Sequence, residues 1–137
     1  MPEFIIDTGG CEQFAKLDDF TQGYIEAMFF TDTGTGDDEE GGLEHANVAE
    51  FAPGEIDAIW DDCQRWQFAN QDKLTAAYET GRYDARRAGN DYWYTRNGHG
   101  VGFWDRELGD IGDELSNACR YSERNLYRDD DGLLYCS

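Results

Sequence analysis

The sequence predicts an α+β fold in which about three helices pack on one face of a small antiparallel sheet made of two hairpins. Three stretches carry apolar residues at helical spacing, and two dipeptides, Asn97-Gly98 and Asp131-Gly132, are typical of tight turns. Asn-Gly and Asp-Gly favour type I′ hairpin turns because both central residues of such a turn need a positive φ. A sheet of about four strands must bury one face against helices, which gives the predicted architecture.

The first hairpin is predicted around Asn97-Gly98, within the segment 91–106, DYWYTRNGHGVGFWDR. Strand-favouring aromatic and β-branched residues precede the turn, and Val101, Phe103 and Trp104 follow it among glycines. Residues 91–104 are therefore expected to form two antiparallel strands, with Thr95 or Arg96 opposite His99 or Gly100. A short helix or turn over 83–88 would lead into this hairpin.

The helices are predicted from apolar stripes and capping residues. The first is expected over 18–30, with Asp18 or Asp19 as its N-cap. It is apolar around so much of its circumference that it should be central, and Gly23 within it suggests close packing against a neighbour. The second helix is expected over 53–70, with a segment that continues helically over 71–80, and the third over 107–121. The second hairpin is expected over 125–136.

Length and charge indicate one domain, 1–137, with a strongly acidic helical part (1–62) and a hairpin-helix-hairpin part (90–136). Residues 1–62 hold 17 acidic residues and one lysine (−16), and residues 63–137 hold 13 acidic and 10 basic residues (−3), which gives the net charge of −19. Such acidity disfavours direct binding to nucleic acid or to an anionic membrane. With no long apolar run and no basic leader, a cytoplasmic location in a host cell is expected.

The four cysteines, at positions 11, 63, 119 and 136, are spaced singly along the chain. Disulfide frameworks and structural zinc sites normally show closer pairing, so reduced thiols without a metal are expected. Cys63 and Cys119 lie on apolar helix stripes, where a thiol packs as a small hydrophobic group. No cofactor is predicted, and the oligomeric state is left open.

Two groups of acidic residues are the candidate partner-binding residues. One lies in the glycine-rich loop 31–42, and the other lies on the outer face of the predicted second helix. Charges over 55–62 recur about every 3.5 Å along the helix axis, close to the ~3.4 Å spacing of phosphates along one DNA strand. The candidates are Asp37, Asp38, Glu39, Glu40, Glu55, Asp57, Asp61 and Asp62.

Two alternatives are centred on the predicted first hairpin. Its exposed residues, namely Trp93, Arg96, His99 and Trp104, could form a protein-binding face. Alternatively, His99 with Asp91 or Asp105 could perform general acid–base catalysis in a small hydrolytic enzyme. None of the common catalytic motifs occurs, and the expectation is that the chain is not an enzyme.

Four segments carry a resemblance to a known group of proteins: GYIEAMFF, FAPGEIDAIWDDCQRWQFAN, AGNDYWYTRNGHGVGFWDRELGDIGDEL and LYRDDDGLLYC. Together they resemble a family of small acidic, uncharacterised proteins of bacteriophages and prophages with an NGHGxGFWDR motif. The resemblance covers most of residues 20–136. It implies a viral or mobile-element origin and an early non-structural product, without implying a mechanism.

Charge and resemblance together predict an acidic decoy, a nucleic-acid mimic that occupies the basic nucleic-acid-binding surface of a host protein. Restriction enzymes, CRISPR effector complexes and replication or transcription enzymes would be suitable targets. Halophilic adaptation also produces acidic chains, but it predicts charge spread over the whole surface, which the split of −16 against −3 opposes. A small regulatory or structural phage protein remains the other alternative.

Overall fold

The computed structural model describes residues 6, 8–33, 46–98, 102–103, 106, 108–119 and 123–136. Over these residues the chain forms six α-helices, one short 3-10 helix and one two-stranded antiparallel sheet. The predicted sheet of two hairpins is therefore wrong, since one hairpin forms and helices make up most of the fold. The elements are α1 (Glu12–Ala15), α2 (Asp19–Thr33), the 3-10 helix (Val48–Glu50), α3 (Glu55–Ala69), α4 (Gln71–Tyr78), α5 (Ala85–Arg96), α6 (Asp110–Ala118), β1 (Leu126–Arg128) and β2 (Leu134–Cys136).

Helix α2 is the central element, as its apolar circumference predicts. Asp18 caps it, because its carboxylate accepts a hydrogen bond from the backbone N–H of Thr21 over 2.8 Å. Six of its apolar side chains are almost completely inaccessible to solvent: Phe20, Tyr24, Ile25, Ala27, Met28 and Phe29. Helices α3 and α5 and strand β1 pack against this helix.

Helices α2 and α5 cross at two glycines that bring their backbones together. A Cβ atom on Gly23 would lie 2.1 Å from the carbonyl oxygen of Arg86, and one on Gly89 would lie 1.9 Å from that of Phe20. The side-chain amide of Asn90 donates to the carbonyl of Gly23 over 2.6 Å, which adds a polar contact at the crossing. The close packing predicted at Gly23 is thus confirmed.

The segment expected to begin the first hairpin is the C-terminal half of α5. Asp84 caps this helix through the backbone N–H of Arg87, and Asn97 ends it by donating its side-chain amide to the carbonyl of Trp93. Gly98 does take a positive φ of 66°, but it follows a helix end, where glycine is also favoured. The predicted pairing of Thr95 or Arg96 with residues 99–100 is therefore excluded, because both belong to the helix.

Helices α3 and α4 are close to the predicted ranges, although α3 begins at Glu55 and follows Gly54 rather than starting at Pro53. The apolar stripe that predicts this helix consists of Ile56, Ile59, Trp60, Cys63 and Trp66. It points inward: Trp60 is half-buried and the other four are buried. Helix α6 is shorter at both ends than the predicted 107–121.

The second hairpin forms within the predicted range, with Leu126 opposite Cys136 and Arg128 opposite Leu134, but a five-residue connection replaces the predicted two-residue turn. Residues 129–133 connect the strands, and Gly132 there has a φ of 82°. The hairpin is joined to the helices by a bridge in which the N–H of Ala52 donates to the carbonyl of Leu134 over 2.9 Å. In the described part of the chain, no helix has both the length and the apolarity needed to cross a membrane.

Candidate functional site

A buried arginine organises the centre of the molecule. Arg96, only 4% exposed, donates to a carboxylate oxygen of Asp62 over 2.5 Å and to the hydroxyl of Tyr24 over 2.9 Å. Its guanidinium also lies 4.6 Å from the centre of the Tyr92 ring, in cation–π geometry. The Tyr92 hydroxyl donates to the other oxygen of Asp62 over 2.9 Å, which closes the arginine cluster of Tyr24, Asp62, Tyr92 and Arg96.

Arg96 stays charged although it is buried. Burial alone would lower the pKa of Arg96, but the neighbouring Asp62 carboxylate, which accepts its hydrogen bond, helps to raise it above its ordinary value. Burial also raises the pKa of Tyr24 and Tyr92, so both hydroxyls stay protonated near neutral pH. The cluster therefore holds α2, α3 and α5 together through the ion pair of Arg96 with Asp62 and the hydrogen bonds of the two tyrosines.

Aromatic rings pack next to the arginine cluster. The Trp66 ring stacks between Tyr92, at a centroid distance of 4.5 Å, and Phe103, at 5.3 Å. Trp93 meets Tyr24 edge to face and donates its indole N–H to Thr31 over 2.8 Å. These contacts are typical of a well-packed core.

A second ion pair fixes Asp91, which is completely buried. Arg106 donates to both Asp91 oxygens over 2.8 to 3.1 Å, and the Tyr83 hydroxyl donates to one of them over 2.5 Å. Since these contacts occupy the carboxylate, Asp91 is a structural anchor. The structure gives no support to its use as a catalytic base with His99.

The predicted acidic candidates on α3 divide into two pairs. Asp57 and Asp61 are exposed, and Asp57 accepts a hydrogen bond from Gln13 of α1 over 2.7 Å. Glu55 and Asp62 are half-buried and serve the fold: Glu55 accepts from the backbone N–H of Cys136 over 2.9 Å, and Asp62 belongs to the arginine cluster. Of the eight candidates, the remaining four, Asp37, Asp38, Glu39 and Glu40, lie outside the described residues.

The residues of the predicted first hairpin that were expected to bind a protein do not form an exposed surface in the part of the chain that the structure describes. Trp93 is fully buried and Arg96 nearly so, because both are on the side of α5 that faces α2 and α3. His99, Trp104 and Asp105 lie outside the described residues. An aromatic hairpin face containing Trp93 and Arg96 is therefore excluded.

Sequence reasoning missed a pocket of about 210 Å³ that opens beside the arginine cluster. We call it the cationic pocket. It is lined by Tyr24, Ala58, Ile59, Asp62, Arg65, Arg124 and Cys136. The two exposed arginines come from α3 and from the residues before β1, and no motif connects positions so far apart in the chain. Only the fold brings them together.

The cysteines are free thiols, and Cys63 and Cys119 are buried as predicted. Burial raises the pKa of Cys63 well above its ordinary value and that of Cys119 to about 12, so both remain protonated and unreactive. Among the described residues, no group of three or more His, Cys, Asp or Glu side chains is arranged to hold a metal ion.

The chain was compared with protein families, with curated proteins and with solved structures, and none of the three comparisons found a match.

Proposed function

We propose that the chain is a phage-encoded acidic decoy that binds the basic nucleic-acid-binding surface of a host protein in the cytoplasm. The observation that carries the proposal is the charge of −16 within the first 62 residues. A basic nucleic-acid-binding surface is built to attract dense negative charge, and it would attract this half of the chain by the same electrostatic steering.

Asp57 and Asp61 support the proposal because they are exposed on α3 and separated by one helical turn. Residues four positions apart lie on the same face of a helix, about 6 Å apart along its axis. That separation is close to two phosphate steps of about 3.4 Å along one DNA strand. Carboxylates at this spacing could replace two phosphates as partners of lysine and arginine side chains.

The internal role of Glu55 and Asp62 narrows the proposed interface. The carboxylate of Asp62 accepts from Arg96 and Tyr92, and that of Glu55 accepts from the backbone of β2. Neither group is free to turn outward without breaking a contact of the fold. The proposed interface therefore consists of Asp57 and Asp61 on α3 together with the acidic segment 37–40.

The experiment is affinity capture from a bacterial lysate at 50 and 200 mM salt, with the retained proteins identified by mass spectrometry. The double variant Asp57→Lys/Asp61→Lys reverses two exposed charges of the proposed interface. Its matched control, Glu79→Lys/Glu114→Lys, makes the same change of net charge at two exposed positions outside residues 1–62.

A nucleic-acid-binding protein should be retained by the wild type and by the control, and lost from the Asp57/Asp61 variant. Retention should also fall steeply between the two salt concentrations, because counterion release drives this kind of association. Circular dichroism should be the same for all three proteins. Equal retention by the two double variants would refute the proposed interface.

A further inference from the structure

We propose that the cationic pocket binds a small organic monocarboxylate, held by Arg65 and Arg124 and packed against the apolar side of the pocket. This ligand site is independent of the decoy function. It rests on the positions of the two arginines, the engagement of the neighbouring carboxylates, and the size and lining of the pocket.

The two arginines of the pocket differ from others in the chain because they have no carboxylate partner among the described residues. The sequence has 30 acidic residues for 11 lysines and arginines, so a basic side chain has many possible partners. Ion pairs with a carboxylate are formed by Arg86, Arg96, Arg106 and Arg128. Arg65 and Arg124 have no carboxylate within ion-pair distance in the described part of the chain, and their guanidinium groups donate to backbone carbonyls. Both line the same pocket.

The Asp62 carboxylate in the pocket lining does not cancel this positive charge. Both oxygens of Asp62 are occupied by Arg96 and Tyr92, and the ion pair with Arg96 neutralises its charge. Glu55 accepts from the backbone of Cys136 at the edge of β2. The Cys136 thiol adds no negative charge, because burial raises its pKa to about 12. The residues that line the pocket therefore carry an excess of positive charge from Arg65 and Arg124, while the negative charge of Glu55 lies outside the lining, next to Cys136.

The size and lining of the pocket indicate the class of anion. Its volume of about 210 Å³ exceeds the ~150 Å³ of an apolar cavity that holds benzene. Ala58, Ile59 and the Cys136 thiol provide an apolar side, and the Tyr24 hydroxyl is another polar group in the lining. A single carboxylate on a small apolar body matches both sides, and guanidinium groups are well suited to carboxylates because they can donate two parallel hydrogen bonds.

The test uses benzoate as the probe, benzamide as its neutral isostere and inorganic phosphate as an anion without an apolar body. Binding is measured by calorimetry and by chemical-shift changes in the full-length protein at low salt. Benzoate should bind at least about tenfold more tightly than benzamide or phosphate, since benzamide lacks the charge and phosphate the apolar contact.

Arg65→Gln and Arg124→Gln should each weaken benzoate binding about tenfold, because each removes one charged donor. The matched control is Arg87→Gln: Arg87 is also exposed and also donates to a backbone carbonyl, that of Arg82, but it is not part of the pocket. It should leave binding unchanged. Thermal unfolding without benzoate confirms that the variants fold.

Three results would overturn the proposal. Benzamide binding as tightly as benzoate would show that charge does not select the ligand. Phosphate binding as tightly as benzoate would remove the role of the apolar side. Unchanged benzoate binding by both pocket variants would place the site elsewhere.

Discussion

Replacing Gly89 with alanine should destabilise the protein, although alanine is the better helix former. The new Cβ would lie 1.9 Å from the carbonyl oxygen of Phe20 and 2.8 Å from the backbone N of Tyr24. Because both are backbone atoms of a buried helix, they cannot rotate away, and α2 and α5 must separate. Overpacking typically costs about 1–3 kcal/mol, and a contact of 1.9 Å against backbone belongs at the upper end of that range. The higher helix propensity of alanine offsets about 1 kcal/mol, so the net loss should be about 2 kcal/mol.

Urea unfolding, monitored by circular dichroism, should show this loss of stability as a lower urea concentration at the midpoint. A ~2 kcal/mol loss in a chain of this size also corresponds to a fall of roughly 8 °C in Tm. Gly23→Ala should behave similarly, since its Cβ would lie 2.1 Å from the carbonyl of Arg86. Asn117→Ala, at an exposed position of α6, is the control and should change stability by no more than ~0.5 kcal/mol. Wild-type stability in Gly89→Ala would refute the close crossing of α2 and α5.

Three further predictions concern buried charge, pH and thiols. Asp62→Ala should lower the free energy of unfolding by about 3 kcal/mol, because it leaves Arg96 buried without its counter-ion. Asp61→Ala, at the adjacent exposed position, should lower it by less than ~0.5 kcal/mol. Equal losses in urea titrations would contradict the arginine cluster. The hydrogen bond from Arg128 lowers the pKa of Glu50 in the folded state. The pair therefore stabilises the fold above the ordinary glutamate pKa, and this contribution is lost as the pH falls through the lower folded-state value. Glu50→Gln should make the urea midpoint depend less on pH in the acid range, and an unchanged dependence would contradict the pair. Cys63 should react with a maleimide only after unfolding, and its rapid labelling in the native protein, followed by mass spectrometry, would contradict its burial.

Local sequence signals predicted a helix or hairpin correctly where they agreed with the packing of that element. The Asp18 cap and the apolar circumference of the following helix predicted α2, and Gly23 predicted a close neighbour. The stripe ending at Trp66 predicted α3. The C-terminal hairpin was predicted because its strands and its Asp-Gly dipeptide lie next to each other in the chain.

The first hairpin was predicted wrongly because one local signal has two structural uses. A glycine with positive φ after an asparagine closes a hairpin turn, but it also follows the end of a helix, as Gly98 does. Residues 92–95 favour strands by propensity, yet Tyr92 and Trp93 gain more from packing against α2 and Trp66. The Asp84 cap was the signal that could have indicated α5.

The candidate site could be predicted only in part. Whether a charged residue is buried depends on its partner, and the partner can come from a distant part of the chain. The spacing of Glu55, Asp57, Asp61 and Asp62 identified a charged helix face, but the inward role of Asp62 depends on Arg96, which comes from a different helix. The cationic pocket likewise depends on the position of the segment before β1 relative to α3. Such contacts between distant segments have no signature in one sequence.

Competition with DNA would show whether the acidic half of the chain occupies a nucleic-acid-binding surface. The captured partner is saturated with fluorescent duplex DNA, and the wild-type chain is titrated in at 50 mM salt while fluorescence anisotropy and complex size are measured. We expect complete displacement of DNA by the wild type and by Glu79→Lys/Glu114→Lys, and no displacement by Asp57→Lys/Asp61→Lys. A stable complex containing partner, DNA and this chain together would contradict it.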